Sequence, residues 1–577
     1  MDRKVYEFIS RQTNDPIVEW KTCKVSGQPF AIFQSDKDFY EKISPTFNGK
    51  KFLIPTPTLC PEERLRRRLA WRNERKLYKR TCDLTGDSMI SIFSSDKIHK
   101  VYNFKDRRSD KRDPMEYGRD YDSSQDFFQQ LGTLYASIPQ ASLYNGYQME
   151  NCDYCNYGFA QKNCYMNVGC GYCENSCYCR VDMQCNYDFD GYLNVQSEHC
   201  YNSVRIAKCY QVFNSVYAEE CRDSSYLYNC KNCQYCLGCV NIIGGQHMVL
   251  NQKCSKEEYE KTLRSLSDPE AKKEFMAKYD ALLKQSPRNH VYNVGCEKCL
   301  GNDNNGSSDL IACFDVVDAK QLKYCAEVGI KYADAYDMNF STNTTMCYEC
   351  VGYSNHKGIF CGRGTEDSDL IFCIDTYYSS HCIACVGIKH KKYCILNKQY
   401  TQEEYEKLAG QIIENMIVNG SWGEFFPASM TPFCYNETLA HEYFPLTRIE
   451  SAQRGYSWMD NEVSINIPNW AETIQAQDLP TIQEATDDIT EKIIICEVSW
   501  RPFRIIKQEL EFFRKQQIAL PTKHPDIRHQ ERLQQRPSKD LFMRNCDSCN
   551  KEILSVYPSS SAFKIYCGTC YDKEMYW

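Results

Sequence analysis

The chain has 577 residues, 36 of them cysteine and 42 tyrosine, and its 69 basic and 76 acidic residues leave a net charge of −7. That balance excludes a globally basic nucleic-acid binder, and the length predicts three or more domains of about 100–200 residues each. The mean hydropathy is −0.59, and no run of about 18 apolar residues occurs, which excludes a spanning helix and a membrane partner. The opening residues MDRKVYEFISRQTNDP lack an apolar signal core. An intracellular, soluble chain is therefore expected, with its cysteines as thiols or metal ligands rather than disulfides.

Residues 1–105 read as a small module. CKVSGQPFAIF (Cys23–Phe33) leads to DFYEK (Asp38–Lys42) and PTLCPEERLRRRL (Pro57–Leu69). Pro61–Arg80 holds nine Arg or Lys against three Glu, and Leu65, Leu69 and Leu77 fit one helical face. A basic helix over 61–80 is expected. Its Arg64, Arg66, Arg67, Arg68, Arg72 and Arg75 are candidates for phosphate contacts. The plainer alternative is a helix face laced with ion pairs. Residues 106–144 read as a connector.

From Cys152 to Cys394 the cysteines keep a beat of twelve: Cys173, Cys185, Cys209, Cys221 and Cys233 in one series, Cys313, Cys325, Cys361, Cys373 and Cys385 in another. In rows of twelve from Cys173, columns one, four, seven and ten are mainly Cys, Ser, Gly, Asn or Val, and charge lies mostly elsewhere. That pattern predicts a mainly β fold, a cysteine-lined β-solenoid with coils of twelve or 24 residues. Small side chains would stack inward, and a thiol packs there as a small hydrophobe. Asn186, Asp188, Asn214 and Asn229 are expected at left-handed corners, and tyrosines are expected to stand outward in ladders. The periodicity resembles that of the Cys/Ser-lined solenoids of insect antifreeze proteins, a likeness of spacing that implies no ice binding.

The solenoid is expected in two blocks, 145–254 and 291–400. Each closes with a capping box opening a helix, Ser255 with Glu258 and Thr401 with Glu404. Residues 255–290 read as a helical spacer, broken near Ser267–Pro269, and 401–490 as a helix with an aromatic, proline-punctuated connector. Within block 1, Cys230, Cys233, Cys236 and Cys239 sit three apart, like ligands of an iron–sulfur cluster. In rows of twelve, however, that spacing is the interior spacing of the whole block.

The last segment, 491–577, repeats the first. CEVSWRPFRII (Cys496–Ile506) matches Cys23–Phe33, and from Pro57 the copies align without a gap at an offset of 464, Pro57 with Pro521. Its end carries Cys546, Cys549, Cys567 and Cys570 as C-x2-C-x17-C-x2-C, two thiolate pairs on tight turns that suit tetrahedral zinc. The first copy has Thr85 in place of the second cysteine and no second pair. A basic stretch recurs at 523–544, with Arg528 and Arg532 as further phosphate candidates.

The segments around Cys23–Cys60 and Cys496–His524 resemble a zinc-ribbon domain of treble-clef type found in bacterial proteins. That resemblance implies a second metal position in each copy, of which two ligands in four survive: Cys23 with Cys60, and Cys496 with His524. The whole chain resembles cysteine-rich zinc-ribbon proteins of candidate-phylum bacteria and large DNA viruses, which implies an intracellular role, cytoplasmic or particle-associated, and supplies no activity; the repeat itself predicts duplicated small α+β modules at both ends.

No P-loop, dinucleotide fingerprint, H-E-x-x-H or nucleophile elbow occurs, and Tyr435, His441 and Glu442 read as packed connector. No catalytic or organic-cofactor residue is therefore assigned. The expected function is a non-enzymatic, zinc-containing structural or interaction protein that presents tyrosine-rich faces to a protein or macromolecular assembly. The alternatives are an RNA- or DNA-binding factor using helices 61–80 and 523–544, and an iron–sulfur redox protein. The oligomeric state is not legible.

Overall fold

The computed structural model describes residues 1–109, 112–460 and 467–576. The mainly β expectation is corrected. Helices such as 3–13, 34–43, 269–285, 402–418 and 507–516 make the chain mixed α/β, with many strands and a large, mostly parallel sheet across 297–399. None of its helices is long and apolar enough to cross a membrane among the described residues.

The middle of the chain pairs with itself in parallel at an offset of twelve. In block 1 the pairs are at first isolated, such as Cys177 with Phe189 and Phe189 with Tyr201, and widen from Tyr210 into strands 210–213, 222–225, 234–237 and 246–249. Block 2 uses longer strands, 326–345, 348–359 and 362–371, and its offset is 11 at Val351/Gly362 and 13 at Lys320/Ala333.

A unit of three residues explains the spacing. The first residue points inward, the second pairs with neighbouring rungs, and the third turns the corner in the left-handed region. Cys177 donates its N–H to Asp188 O, eleven residues on, and Tyr178 donates to Tyr165 O, thirteen back. Each corner costs about 1–2 kcal/mol for a non-glycine residue, and these ladder bonds offset it.

Asn214 and Asn229 are corners (φ 51° and 52°), but so are Tyr178, Val181 and Gln184. Asn186 is a pairing residue instead, and Asp188 points inward, fully buried. Corner chemistry is thus less selective than expected, because the ladder bonds hold any residue there.

The inward columns explain why cysteine alternates with serine. Cys173, Cys179 and Cys185 turn their thiols onto the carbonyls of Gly171, Cys177 and Met183, two residues back. Ser176, Ser197 and Ser215 do the same at 2.8–3.0 Å. Both residue types are small, fill the narrow interior and bring their own acceptor.

Both helix starts after the blocks form as expected, with reciprocal caps at Ser255/Glu258 and Thr401/Glu404. The basic segments are shorter helices than expected, 61–69 and 525–534. Each gives way to a hairpin strand, 78–81 and 542–545. Asn73 fixes the turn between helix 61–69 and strand 78–81: its amide binds Lys76 O and Ile92 O.

The end modules cross over between the blocks. The first half of the N-terminal module lies on block 2, where Phe39 stacks on Tyr336 at 3.8 Å. Its second half pairs strand 101–102 with 140–141, at the entrance to block 1. The C-terminal module mirrors this. Phe512 stacks on Phe189 of block 1 at 4.1 Å, and strand 565–566 pairs with 288–289, before block 2. Buried ion pairs also join the blocks, Arg180 to Glu327 at 3.2 Å and Arg205 to Asp303 at 3.3 Å and Asp315.

Candidate metal centre

Two hairpin ends build the four-cysteine group. Strands 542–545 and 552–555 pair antiparallel. The chain turns between them with Cys546 N–H on Lys551 O and Asn550 N–H on Cys546 O, both 2.9 Å, and with Asn550 left-handed at φ 59°. Cys546 and Cys549 stand on this turn. Cys567 follows strand 565–566, and Cys570 lies in the first turn of helix 568–576. Asp547 fastens the two parts: its N–H binds Ile565 O at 2.9 Å, and its carboxylate accepts from Ile565 N–H at 2.7 Å.

The four sulfurs all lie within 4.8 Å of one another, and Cys549 and Cys567 are 3.8 Å apart. A tetrahedron with metal–sulfur arms of about 2.3 Å has edges of about 3.8 Å. Cys546 and Cys567 are buried, and Cys549 is exposed. Burial works to raise the Cys546 thiol, but the N–H groups of Cys549, Cys567 and Ser548 bring it down to about 6. The Cys567 N–H is 3.2 Å from that sulfur. A thiolate already held by backbone donors is a ready metal ligand, so these residues fit a metal ion.

The N-terminal copy keeps the shell. Asn103 N–H points at Cys82 Sγ at 3.4 Å, as Cys567 N–H does at Cys546. Asp83 binds Val101 in the manner of Asp547 with Ile565. Thr85, Asn103 and Asp106 stand where the offset of 464 places Cys549, Cys567 and Cys570. One sulfur remains, without the other three.

The two weaker pairs have too few donors. Cys23 and Cys60 come together beside Ser26, 3.7 Å from Cys60 Sγ. A hydrogen bond with Cys60 pulls the Cys23 thiol down and pushes its partner up. Cys496 accepts from Ser499 N–H at 3.4 Å. His524 caps helix 525–534, accepting Asp526 N–H on Nδ1 at 3.1 Å. Cys60 occupies the same cap position before helix 61–69, so the Cys/His exchange falls at a helix start.

All eight candidate arginines are turned inward. Arg64 and Arg68 bind Asp337 at 2.9 and 3.0 Å, and Arg528 and Arg532 bind Asp190 at 2.6 and 2.8 Å. Arg66 pairs with Glu62, Arg67 with Glu349 and Glu424, and Arg75 with Asp526. Arg72 pairs with Glu74 at 2.5 Å between the rings of Tyr157 and Phe340. The phosphate-facing surface expected of them is not the one they form, because carboxylates of the blocks, the connectors and the modules themselves reach them first.

Cys230, Cys233, Cys236 and Cys239 are all buried, each thiol on a carbonyl two residues back. Among the described residues, two groups gather three or more ligand atoms within 4.8 Å: the four terminal cysteines, and Cys179 with Asp182 and Asp188. The second was missed in the sequence, although acids in inward columns were the available signal.

A cavity of about 2090 Å³ lies where modules and blocks meet, lined in part by Arg75, His441, Glu442, Asp526 and His529. Glu442 reaches His529 at 3.3 Å. Burial pushes the Glu442 carboxyl up to about 7 and holds His529 well below the usual imidazole range.

No family model matches the chain, and no curated protein does. Among solved structures it is similar to a protein of Desulfovibrio desulfuricans G20 provisionally named an acetyltransferase. That match has 9% identity and a TM-score of 0.11, over 48% of this chain and 82% of that one. A likeness so weak carries no argument.

Proposed function

We propose that this chain is a non-enzymatic intracellular scaffold. In this reading the twelve-residue pairing is a cysteine-lined β-solenoid in two blocks. Two zinc-ribbon-like end modules clamp it, and the C-terminal one holds zinc through Cys546, Cys549, Cys567 and Cys570. Structural zinc takes four such thiolates, and a closed four-sulfur shell leaves no open position for substrate.

One observation carries the interaction role. The modules cover the columns through Phe189 and Tyr201, yet Tyr187 stacks on His199 at 4.9 Å and His199 meets Tyr210 edge-on at 5.6 Å, with both tyrosines 37% exposed and Lys515 of the C-terminal module beside Tyr187. Ordered, partly exposed aromatic rings suit contact with a protein partner. A photo-crosslinking residue at 187 or 210 is expected to capture one common partner in cells. Tyr187→Ala with Tyr210→Ala should abolish co-purification and leave zinc content unchanged. Capture no stronger than from the exposed Lys256 would sink the reading. RNA or DNA binding would need basic groups other than the eight inward arginines.

The cavity supports a second reading. A carboxyl near neutrality beside a histidine in a concave site marks a small-molecule site. Native mass spectrometry of the full chain tests it: a bound molecule lost in Glu442→Gln supports that reading, and a bare chain counts against it.

A further inference from the structure

Inside block 1, Cys179 and Asp182 of one twelve-residue repeat and Asp188 of the next come together, all fully buried. The two carboxylates share one arrangement. Asp182 Oδ1 accepts the Asn194 backbone N–H and Asp188 Oδ2 the Asn194 side-chain amide, both at 2.9 Å. Their other oxygens, Asp182 Oδ2 and Asp188 Oδ1, have no hydrogen-bond partner beyond the cluster. The arginines of this region do not answer them: Arg528 and Arg532 are held by Asp190, which faces outward.

A glycine makes room for one of the free oxygens. Gly191 interrupts an inward column otherwise filled by Cys179, Ser203, Ser215, Leu227 and Cys239. A Cβ at 191 would collide with Asp182 Oδ2 and lie 2.8 Å from Asn194 Nδ2. Two carboxylates buried without a cation are costly enough that they either stay protonated or hold a metal.

We propose that Cys179, Asp182 and Asp188 form a second metal site, locked inside the coil during folding. One thiolate with two carboxylate oxygens is a zinc donor set, and the sulfur disfavours magnesium and calcium. Asn194 orients both acids from outside the ligand shell, as second-shell donors do. The site belongs to block 1 alone. Phe189 and Asp190 correspond to Tyr336 and Asp337 through their matched contacts, so Ala335 stands where Asp188 does.

The test uses the full chain, produced in zinc-supplemented medium, with metal analysis and zinc-edge X-ray absorption. The wild type is expected to carry a second zinc beyond the terminal one, and its averaged shell should show oxygen as well as sulfur. Asp182→Asn with Asp188→Asn should lose one zinc and leave an all-sulfur shell. Cys549→Ser with Cys570→Ser should keep one zinc in an oxygen-rich shell. Should the Asn variant fail to fold, the wild-type shell alone decides. One zinc in an all-sulfur shell, or undiminished zinc in the Asn variant, overturns the site and leaves a proton-sharing acid pair.

Discussion

The two end modules have the same hairpins and the same crossed docking, and differ in the chemistry at one corner. Around Cys546 three more sulfurs complete a metal-sized group. Around Cys82 the places are taken by Thr85, Asn103 and Asp106, yet Asn103 N–H still points at the remaining sulfur. The turn therefore does not need the metal to keep its shape. Strand 101–102 against 140–141 and the bonds of Asp83 hold it. A metal knuckle becomes dispensable once its hairpin is docked on a larger body.

The largest effects are expected where the modules grip the blocks. Asp337→Ala and Asp190→Ala each leave two buried guanidinium groups without their shared carboxylate. Removing one partner of a buried pair costs about 3–5 kcal/mol, and denaturant titration should show losses of similar size in both. A loss at only one position would break the parallel between the modules.

Next comes restoration of the lost centre. Thr85→Cys, Asn103→Cys and Asp106→Cys together should add one zinc to the chain, measured by metal analysis. No added zinc would mean that the N-terminal turn has drifted further from its twin than its backbone bonds indicate.

A third expectation concerns pH. Glu442 has a folded-state pKa of about 7 against an ordinary 4.5. Between those values the folded chain holds a proton that the unfolded chain releases, so this group costs stability as pH rises from 4.5 through 7. Glu442→Gln removes that slope. Its melting temperature relative to wild type should rise from pH 5 to pH 8, by the equivalent of up to about 3 kcal/mol. A flat difference would mean that Glu442 keeps an ordinary carboxylate pKa in the folded chain.

The smallest effect separates the interior of the blocks from the metal corner. Cys200→Ser should change stability by less than about 1 kcal/mol, because serines in the inward columns make the same bond. Cys200→Leu should cost about 1–3 kcal/mol by overfilling the coil.

Much of this was legible from spacing. The beat of twelve identified the inward columns, which are buried from Ser176 to Cys239, and the offset of 464 aligned hairpins that make matching bonds. The capping boxes marked two helix starts. The destination of the arginines was not legible. Arg64 and Arg68 meet Asp337 across 269 or more residues of chain, and composition alone cannot distinguish a basic surface from a buried clamp. The tyrosines were half legible: Tyr187 and Tyr210 stand outward, while Tyr178 and Tyr192 lie under the C-terminal module. The acids at 182 and 188 were visible in inward columns, but their convergence with Cys179 needed the corner geometry.

The contrast between the two corners is tested most directly by the zinc bound per chain in Cys549→Ser beside Cys82→Ser. Cys549→Ser should lose one zinc and Cys82→Ser none. Equal loss in both, or none in Cys549→Ser, would contradict it.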